Sequence, residues 1–592
     1  MSFKDLSVYL KKLEETASRN EMILILSELF KKVPAEETDK VMYLLQGRVA
    51  PLFVALEFGM ADKMVAKAIA LAYEISEKEV TKTFKNIGDT GEVAQKFAQE
   101  KNTRGSNLSI LEVFDVLERV AKSGGPGSVD VKVTMLAHLL KGLDSLSVRF
   151  VARIPVAKLR LGFSDMTILD SISWMLTGDK SLRSEIERAY NIRPDLGFIA
   201  KVIKQKGIKG VGDVRPVIFT PILMARAERL SSGEEIIDKI GECAIEPKFD
   251  GFRLQAHIKR GKGKGESVKL FTRNLEEVTF MYPDVVEGLV NQINADEVIL
   301  EGEAIAYNPV TGEYLPFQET AQRKRKYGIP EMVKKIPLKF MAFELLNLNG
   351  QNLINLPYKD RREKLLKIIK KGDTVYLSEE QVIGDAKKIE KFFDDAISRG
   401  LEGILAKKLD GKYQAGARGW NWIKLKRSYS SKLDDTVDCV VMGCYVGQGK
   451  RTSFGMGAFL IGVYDEVQDK FVTIAKVGTG LTDEEWRELF KRSEKIKVSH
   501  KPALYEVDKI LEPDVWVNPE VVVEIKADEL TRSTVHTAGR ILKPSKSGSA
   551  FDVDVPGYAL RFPRLERFRD DKTPSDATTL KEVEEMFKLQ KK

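Results

Sequence analysis

Apolar residues recur three and four apart from the start of the chain, with Phe3, Leu6, Leu10 and Leu13 on one stripe and Leu24, Leu26, Leu29 and Phe30 on another. That period predicts amphipathic helices. It continues through VFDVLERVAK (113–122) and MLAHLLKGL (135–143), with the breaker SGGPGS at 123–128 between them, so residues 1 to about 210 read as an all-α region. At RPVIFTP (215–221) the helical period stops. Beyond it Phe252, Leu254, Ala256 and Ile258 alternate with Arg253, Gln255 and His257, the signature of a strand. A boundary near 215 follows. Strand-like runs at 298–300 and 339–346 then alternate with helical runs at 359–371 and 387–400, which predicts an α+β domain. From about Ser430, short apolar runs recur between glycine-bearing turns (437–447, 457–465, 470–480, 520–527), predicting a small antiparallel barrel followed by a terminal helix over 578–592. The expected domains are therefore 1–215, 216–429 and 430–592.

Composition narrows the class. The 592 residues are 43% hydrophobic and 31% charged, which is globular usage and leaves room for several cores. Cys243, Cys439 and Cys444 are too few for a disulfide framework or an all-cysteine zinc site, pointing to a reducing, intracellular compartment. His138, His257, His500 and His536 are isolated and read as structural or surface residues. Neither a signal-peptide centre nor a run of about 18 uncharged apolar residues is present, so a soluble, cytoplasmic protein is expected. A net charge of +8 is compatible with a polyanionic partner without requiring one. The loops KNTRGS (101–106) and KGIKGVG (206–212) combine small residues with bases that suit phosphates, although helix caps are the simpler account.

The chemistry centres on Glu246-Pro247-Lys248-Phe249-Asp250-Gly251-Phe252-Arg253, where an Asp-Gly turn follows a lysine at a strand end. An amine attacks phosphorus only when neutral, so such a lysine needs burial or neighbouring cations, and a metal on the phosphate. Alone, the pattern is common. Its companions give it weight: Glu301 and Glu303 share one strand face and suit a cation or a ribose hydroxyl. Glu402 adds another acid for metal, with Lys407 and Lys408 as bases for phosphate. Lys424 and Lys426 project from one side of a strand, a pair suited to polyphosphate. Taken singly, Phe343 reads as strand core, Arg418 as a solvated charge, and Arg561 with Arg564 as a surface ion-paired set. Arg323-Lys324-Arg325-Lys326 beside Tyr327 reads by itself as a solvated loop or helix face, and in a protein that binds a polyanion it would track a phosphate backbone. Gly447-Gln448-Gly449-Lys450 lacks Walker spacing and reads as a turn.

In order along the chain, KFDGFR (248–253), FTRN (271–274), EGE (301–303) with FELL (343–346), EGI (402–404), WIKLK (422–426) and RFPR (561–564) resemble the six motifs of the covalent nucleotidyltransferases. The whole chain resembles the ATP-dependent DNA ligases of the archaeal and eukaryotic replicative type. The resemblance implies a helical DNA-binding domain, an adenylation domain and a C-terminal OB-fold. It also implies sealing of 5′-phosphate/3′-hydroxyl nicks through a lysyl-AMP and a DNA-adenylate, in replication, repair and recombination. Lys248 matches the nucleophile, Glu246 the adenine-recognising residue and Phe343 the stacking ring. Arg253, Arg273 and Glu303 match ribose and phosphate contacts, with Arg273 set off by the insertion-like loop 260–266. Arg418, Lys424 and Lys426 match later nucleotide contacts, Glu303 and Glu402 metal carboxylates, and Arg561 and Arg564 the segment facing pyrophosphate. Implied cofactors are ATP and Mg2+, with Mn2+ as an alternative. The implied partner is nicked double-stranded DNA, for a monomer in the cytoplasm at the nucleoid and with no membrane partner. A sliding clamp is a weaker expectation, since no Q-x-x-hydrophobic-x-x-aromatic-aromatic clamp motif is evident. An NAD-dependent ligase would carry a four-cysteine zinc module, and a capping guanylyltransferase would not need the helical region. A non-catalytic DNA-binding scaffold would have no use for Lys248, Lys424 and Lys426.

Overall fold

A computed structural model describes the chain except residues 103–104, 262–265, 316, 427–435, 448–454, 545–550 and 591–592. The core of the 101–106 loop, the centre of the 260–266 loop, the turn at 448–450 and the boundary near Ser430 fall outside the described residues. The chain divides into two compact units, Met1–Leu425 and Lys426–Lys592.

The first unit opens with helices, from Phe3–Glu14 to Lys209–Gly212, and the first described strand begins at Arg226. Local sequence explains their ends. Ser2 with Asp5 and Ser109 with Glu112 form reciprocal capping boxes. Gly207, at φ +64, ends the helix Leu196–Lys206, so the 206–212 segment begins as a helix stop. The stripe read from the sequence packs inward: Phe3, Leu6, Leu10 and Leu13 are buried.

Two sheets follow. One has the order β1 (Arg226–Arg229), β11 (Arg418–Lys426), β10 (Gly403–Lys408), β2 (Cys243–Lys248), β9 (Gln381–Ile383). The other runs β4 (Glu266–Thr272), β3 (Phe252–Arg260), β5 (Glu297–Ala306), β6 (Leu338–Leu348), β7 (Gln351–Asn352), with β8 (Val375–Leu377) also on β6. Consecutive β2 and β3 therefore lie in different sheets. The Asp250-Gly251 turn is not a hairpin; it carries the chain from one sheet to the other and leaves Lys248 at the crossing. A Cβ on Gly251 would stand 2.3 Å from the Ala304 carbonyl oxygen, so glycine here is what lets β5 approach the crossing.

The segment between the helices and β1 is laced to β3. Phe219 N–H donates to His257 Nδ1 at 3.0 Å, and Ile222 N–H donates to Gln255 Oε1 at 2.7 Å. One continuous buried apolar cluster takes in Leu196, Ile199 and Val211 from the helices, Phe343 and Trp422 from the sheets, and Tyr413 from the loop between β10 and β11.

The second unit is rich in strands. Val437–Tyr445, Ala458–Asp465 and Lys470–Val477 pair antiparallel as neighbours within an eight-stranded sheet, and the separate pair Glu529–Ser533 with Gly557–Arg561 lies beside a common apolar core. The terminal helix runs Leu580–Leu589 behind a Thr579/Glu582 capping box. No helix among the described residues is long and apolar enough to cross a membrane.

Candidate active site

Strand alternation puts Glu246 and Lys248 on one face of β2. The antiparallel neighbour β10 brings Gly403 opposite Lys248, so Glu402 arrives at the nucleophile's end of the strand. The Glu402 N–H donates to the Lys248 carbonyl at 3.0 Å, and the Lys248 ammonium pairs with the Glu402 carboxylate. From the second sheet, β5 lies against β3 with Glu303 opposite Arg253.

Burial pushes the Lys248 ammonium down, with Glu303 and Asp250 opposing and Arg253 and Arg273 assisting. Burial also pushes Glu303 up to about 7, against the pull of Lys248 and Arg253. The site thus holds a lysine and a carboxyl group whose environments draw their proton affinities toward each other.

Behind Lys248 the charges are buried and paired. Lys407 donates to Glu246 Oε1 and to the Phe343 carbonyl, each at 2.8 Å. Tyr358 donates to the same carboxylate at 2.5 Å and also meets Glu380. Glu246 is driven up by burial, with Lys407 and Arg362 opposing. Phe343 meets Trp422 edge to face with centroids 6.1 Å apart, while Arg253 and Lys407 lie over its ring at 5.4 and 5.0 Å. Lys407 is wholly buried, so it is not the phosphate base expected from the sequence. The apolar run GILAKK gave a signal, because a lysine inside such a run requires a buried partner.

Glu301 is corrected as well. It is fully buried and accepts from Arg253 at 2.6 Å, Gln255 at 3.0 Å and Tyr413 at 2.7 Å, which leaves Glu303 as the carboxylate of that pair nearer Lys248. Arg253, held charged by Glu301 against burial, keeps a buried Nε–H without an acceptor among the described residues. This free donor suits a ligand hydroxyl or phosphate oxygen.

In front of Lys248 stand cations of a different kind. Arg273 and Arg418 are exposed and Lys424 is half-buried. Burial and the nearby Lys248, Arg418, Arg273 and Arg229 push Lys424 down. Burial, Arg253, Arg226 and Arg418 do the same to Arg273. Such convergence is unfavourable until an anion arrives. Lys426 closes β11. Among the described residues no group of three or more His, Cys, Asp or Glu could hold a metal ion. Glu303 and Glu402 could still hold a magnesium-type cation that draws its other ligands from substrate phosphates and water.

The remaining motif lies in the second unit, where Arg561 donates to Glu529 and Arg564 to Asp528, each at 2.6 Å. The basic strip at 323–326 disperses. Arg323 is buried on Asp284, Lys324 pairs with Glu276, and Arg325 donates to the Gln322 carbonyl.

Three family models match the chain: "DNA ligase N terminus" over residues 2–173, "ATP dependent DNA ligase domain" over 224–426 and "ATP dependent DNA ligase C terminal region" over 452–572. A protein described as a probable DNA ligase from Dictyoglomus turgidum is 49% identical over 593 residues, covering 100% of this chain and 98% of that one. A DNA ligase from Hyperthermus butylicus is 40% identical over 612 residues with the same coverage. The solved structure described as Pmar-Lig_Pre shares the fold at a TM-score of 0.54 and 18% identity, across 95% of this chain and 99% of that one.

Proposed function

The chain belongs to the family of ATP-dependent DNA ligases, enzymes that seal nicks in DNA, and we propose that Lys248 is the residue that becomes adenylated. The observation that carries this reading is the placement of Lys248: at the crossing of two sheets, paired with Glu402, with burial favouring its neutral form.

In the first step the Lys248 amine forms a bond to the α-phosphorus of ATP as the bond to pyrophosphate breaks, and the amine's proton passes to Glu402. In the second, an oxygen of the nick's 5′-phosphate takes the AMP and Lys248 is released. In the third, the 3′-hydroxyl attacks the activated phosphate, AMP leaves and the phosphodiester forms. Glu246 and Phe343 form the adenine side. Arg253, with its free Nε–H, serves ribose or phosphate oxygens, and Arg273, Arg418, Lys424 and Lys426 serve the phosphates. Glu303 and Glu402 would hold a magnesium ion, which would supply charge neutralisation at the phosphates. Arg561 and Arg564 are assigned to the departing pyrophosphate, and reaching it requires a change of partner from Glu529 and Asp528.

We assign residues 1–215 as an all-α DNA-binding domain, 216–429 as the adenylation domain and 430–592 as an OB-fold domain, acting as a monomer in the cytoplasm. Incubation with α-labelled ATP followed by a denaturing gel tests the nucleophile directly. Wild type should carry the label and Lys248→Ala should not; a normal yield of adduct from the variant would refute the assignment.

A further inference from the structure

The helix Tyr358–Ile368 lies outside the six motifs, yet its first side chains reach the surroundings of Glu246 and Phe343. Arg361 forks onto the Glu344 carboxylate at 2.8 and 2.9 Å, next to Phe343, and so fixes the helix against β6. Arg362 lies between Glu380 at 3.2 Å and Glu246 at 4.0 Å. Tyr358 is buried, with its hydroxyl on Glu246 and also on Glu380, the residue just before β9.

The contacts on Glu246 are one-sided. Tyr358 at 2.5 Å, Lys407 at 2.8 Å and Arg362 all approach Oε1. Oε2 accepts no hydrogen bond among the described residues, in a side chain only 2% exposed. A buried carboxylate oxygen without a donor is unfavourable until a ligand brings one. What it can take depends on its proton. Ionised, it only accepts, and suits an N–H; protonated, it offers an O–H, and suits a carbonyl. Purines differ in this respect at the 6-position, where adenine carries an amino group and hypoxanthine or guanine an oxygen.

Burial favours the protonated form of Glu246, and Lys407, Arg362 and Tyr358 oppose it. The groups facing it are therefore Lys407 from β10, Tyr358 and Arg362 from the helix and, through the tyrosine, Glu380; Glu344 is engaged by Arg361. Tyr358 has one hydroxyl hydrogen for two carboxylates. Burial, with Glu246 and Glu380 beside it, pushes the phenol well above its ordinary value, so the hydrogen stays on the ring oxygen. Glu380 is 17% exposed, with Arg362 and solvent as other partners, so the hydrogen matters more to Glu246.

We propose that Tyr358 is a positioning residue for base selection: its hydroxyl keeps Glu246 an acceptor-only carboxylate, whose open Oε2 takes the amino group of adenine and rejects a 6-oxo purine. The inference rests on the reading of Glu246 as the adenine-side residue and adds to it a residue beyond the motifs. A 6-oxo base would set two acceptors together with no hydrogen between them, a mismatch that discriminates strongly in a buried site.

The test compares ATP with inosine triphosphate, which carries the 6-oxo group, by the rate of labelled adduct formation over a pH series. Wild type, Tyr358→Phe, Glu380→Gln and Glu246→Gln are measured. Lys248 titrates alike for both nucleotides, so its protonation cancels in the ratio of the two rates. In wild type the ratio should favour ATP and fall as the pH drops and Glu246 takes a proton. Tyr358→Phe should move that fall to higher pH by about one unit, the tenfold change in proton affinity expected for one lost hydrogen bond to a charged acceptor. Glu380→Gln removes the competing carboxylate and offers an N–H to the phenol oxygen, so it should move the fall to lower pH. Glu246→Gln should turn the preference toward inosine triphosphate, because Tyr358 and Lys407 hold the amide oxygen and leave its NH2 for the base.

Coincident ratio curves for wild type and Tyr358→Phe overturn the proposal, including the case of equal losses on both nucleotides, which would make the tyrosine structural only. Should Tyr358→Phe fail to fold, a Glu380→Gln curve that coincides with wild type overturns it instead. A Glu246→Gln variant as selective for ATP as wild type would sink the adenine reading of Glu246 itself, so the two failures are distinguishable.

Discussion

Two sides of Lys248 treat charge differently. Behind it, Glu246, Lys407, Tyr358, Arg362 and Glu301 are buried with Arg253 partly buried beside them, and most of their polar atoms have a partner within the protein. In front of it, Arg273, Arg418 and Lys424 gather, and among the described residues none of them forms an ion pair with an acid. The first arrangement is paired without substrate apart from atoms such as the Arg253 Nε–H, and removing one member strands another in a low-dielectric interior. On the proposed function the second gains its counter-charge when phosphates arrive, and its members would contribute to binding and transition-state stabilisation rather than to folding. A motif residue's conservative appearance in sequence says nothing about which side it occupies. Lys407 and Lys424 both sit in strands with apolar neighbours, yet Lys407 is wholly buried on Glu246 and Lys424 is half-buried among cations.

The largest expected effect falls on Lys248 itself, where the two sides meet. Lys248→Ala should abolish the AMP adduct yet still seal a nick already carrying 5′-AMP, because only the amine is missing. Loss of both activities would mean that Lys248 also holds the two sides together. Next comes the pair Lys407→Met and Arg418→Ala. Removing Lys407 leaves the buried Glu246 carboxylate without its cation and should cost about 3 kcal/mol of stability in denaturant unfolding at neutral pH. Removing exposed Arg418 should change stability by less than about 0.5 kcal/mol while weakening ATP-driven adenylation. Equal losses of stability would erase the distinction between the sides.

Arg561 is the residue most able to break the comparison, since it is already paired with Glu529 and by the same logic should be structural. The pyrophosphate assignment requires that it exchange this partner. Arg561→Ala should then slow adenylation of Lys248 by about 10², as for loss of one preorganised cation, and leave sealing of a pre-adenylated nick nearly unchanged. Unchanged adenylation would restore the rule that a paired cation is a spent one.

How much of this was legible in the sequence depends on the range of the interaction. The helical period of Phe3, Leu6, Leu10 and Leu13 and the alternation of Phe252 to Ile258 report a local periodicity, and the structure has a helix and a strand there. The motif order located Lys248, Glu303 and Glu402, which the fold brings together. What pattern could not supply was sheet membership. Asp250-Gly251 looks like a hairpin turn because turn chemistry is local, whereas the assignment of β2 and β3 to different sheets is decided by distant partners. The same holds for Lys407 and Glu301, whose alternation shows a face but not what covers it. The change of pattern near 215 is real, yet Leu196 and Trp422 share one apolar cluster across it, a contact no window of sequence contains.

The smallest effect concerns a paired group whose pairing survives in only one protonation state. His257 lies on β3, fully buried; its Nδ1 accepts from the Phe219 N–H at 3.0 Å and its Nε2 lies 2.9 Å from Gln255 Oε1. The neutral ring with hydrogen on Nε2 satisfies both contacts. A second proton on Nδ1 would face an N–H donor inside the protein, and burial together with nearby Lys269 pushes the imidazole down to about 3. The unfolded chain, with an ordinary value of about 6.5, takes up that proton first. The stability contributed by the neutral ring is therefore complete above about pH 6.5 and is lost as pH falls toward 3, at a limiting slope of about 1.4 kcal/mol per pH unit. Between pH 7 and 5, wild type should lose about 2 kcal/mol more than His257→Gln, which keeps an acceptor and a donor but does not titrate. Carboxylates that protonate over the same range contribute equally to both proteins and cancel in the difference. Parallel unfolding curves for the two proteins would show that the imidazole is protonated without cost, and that pairing behind Lys248 is looser than its geometry implies.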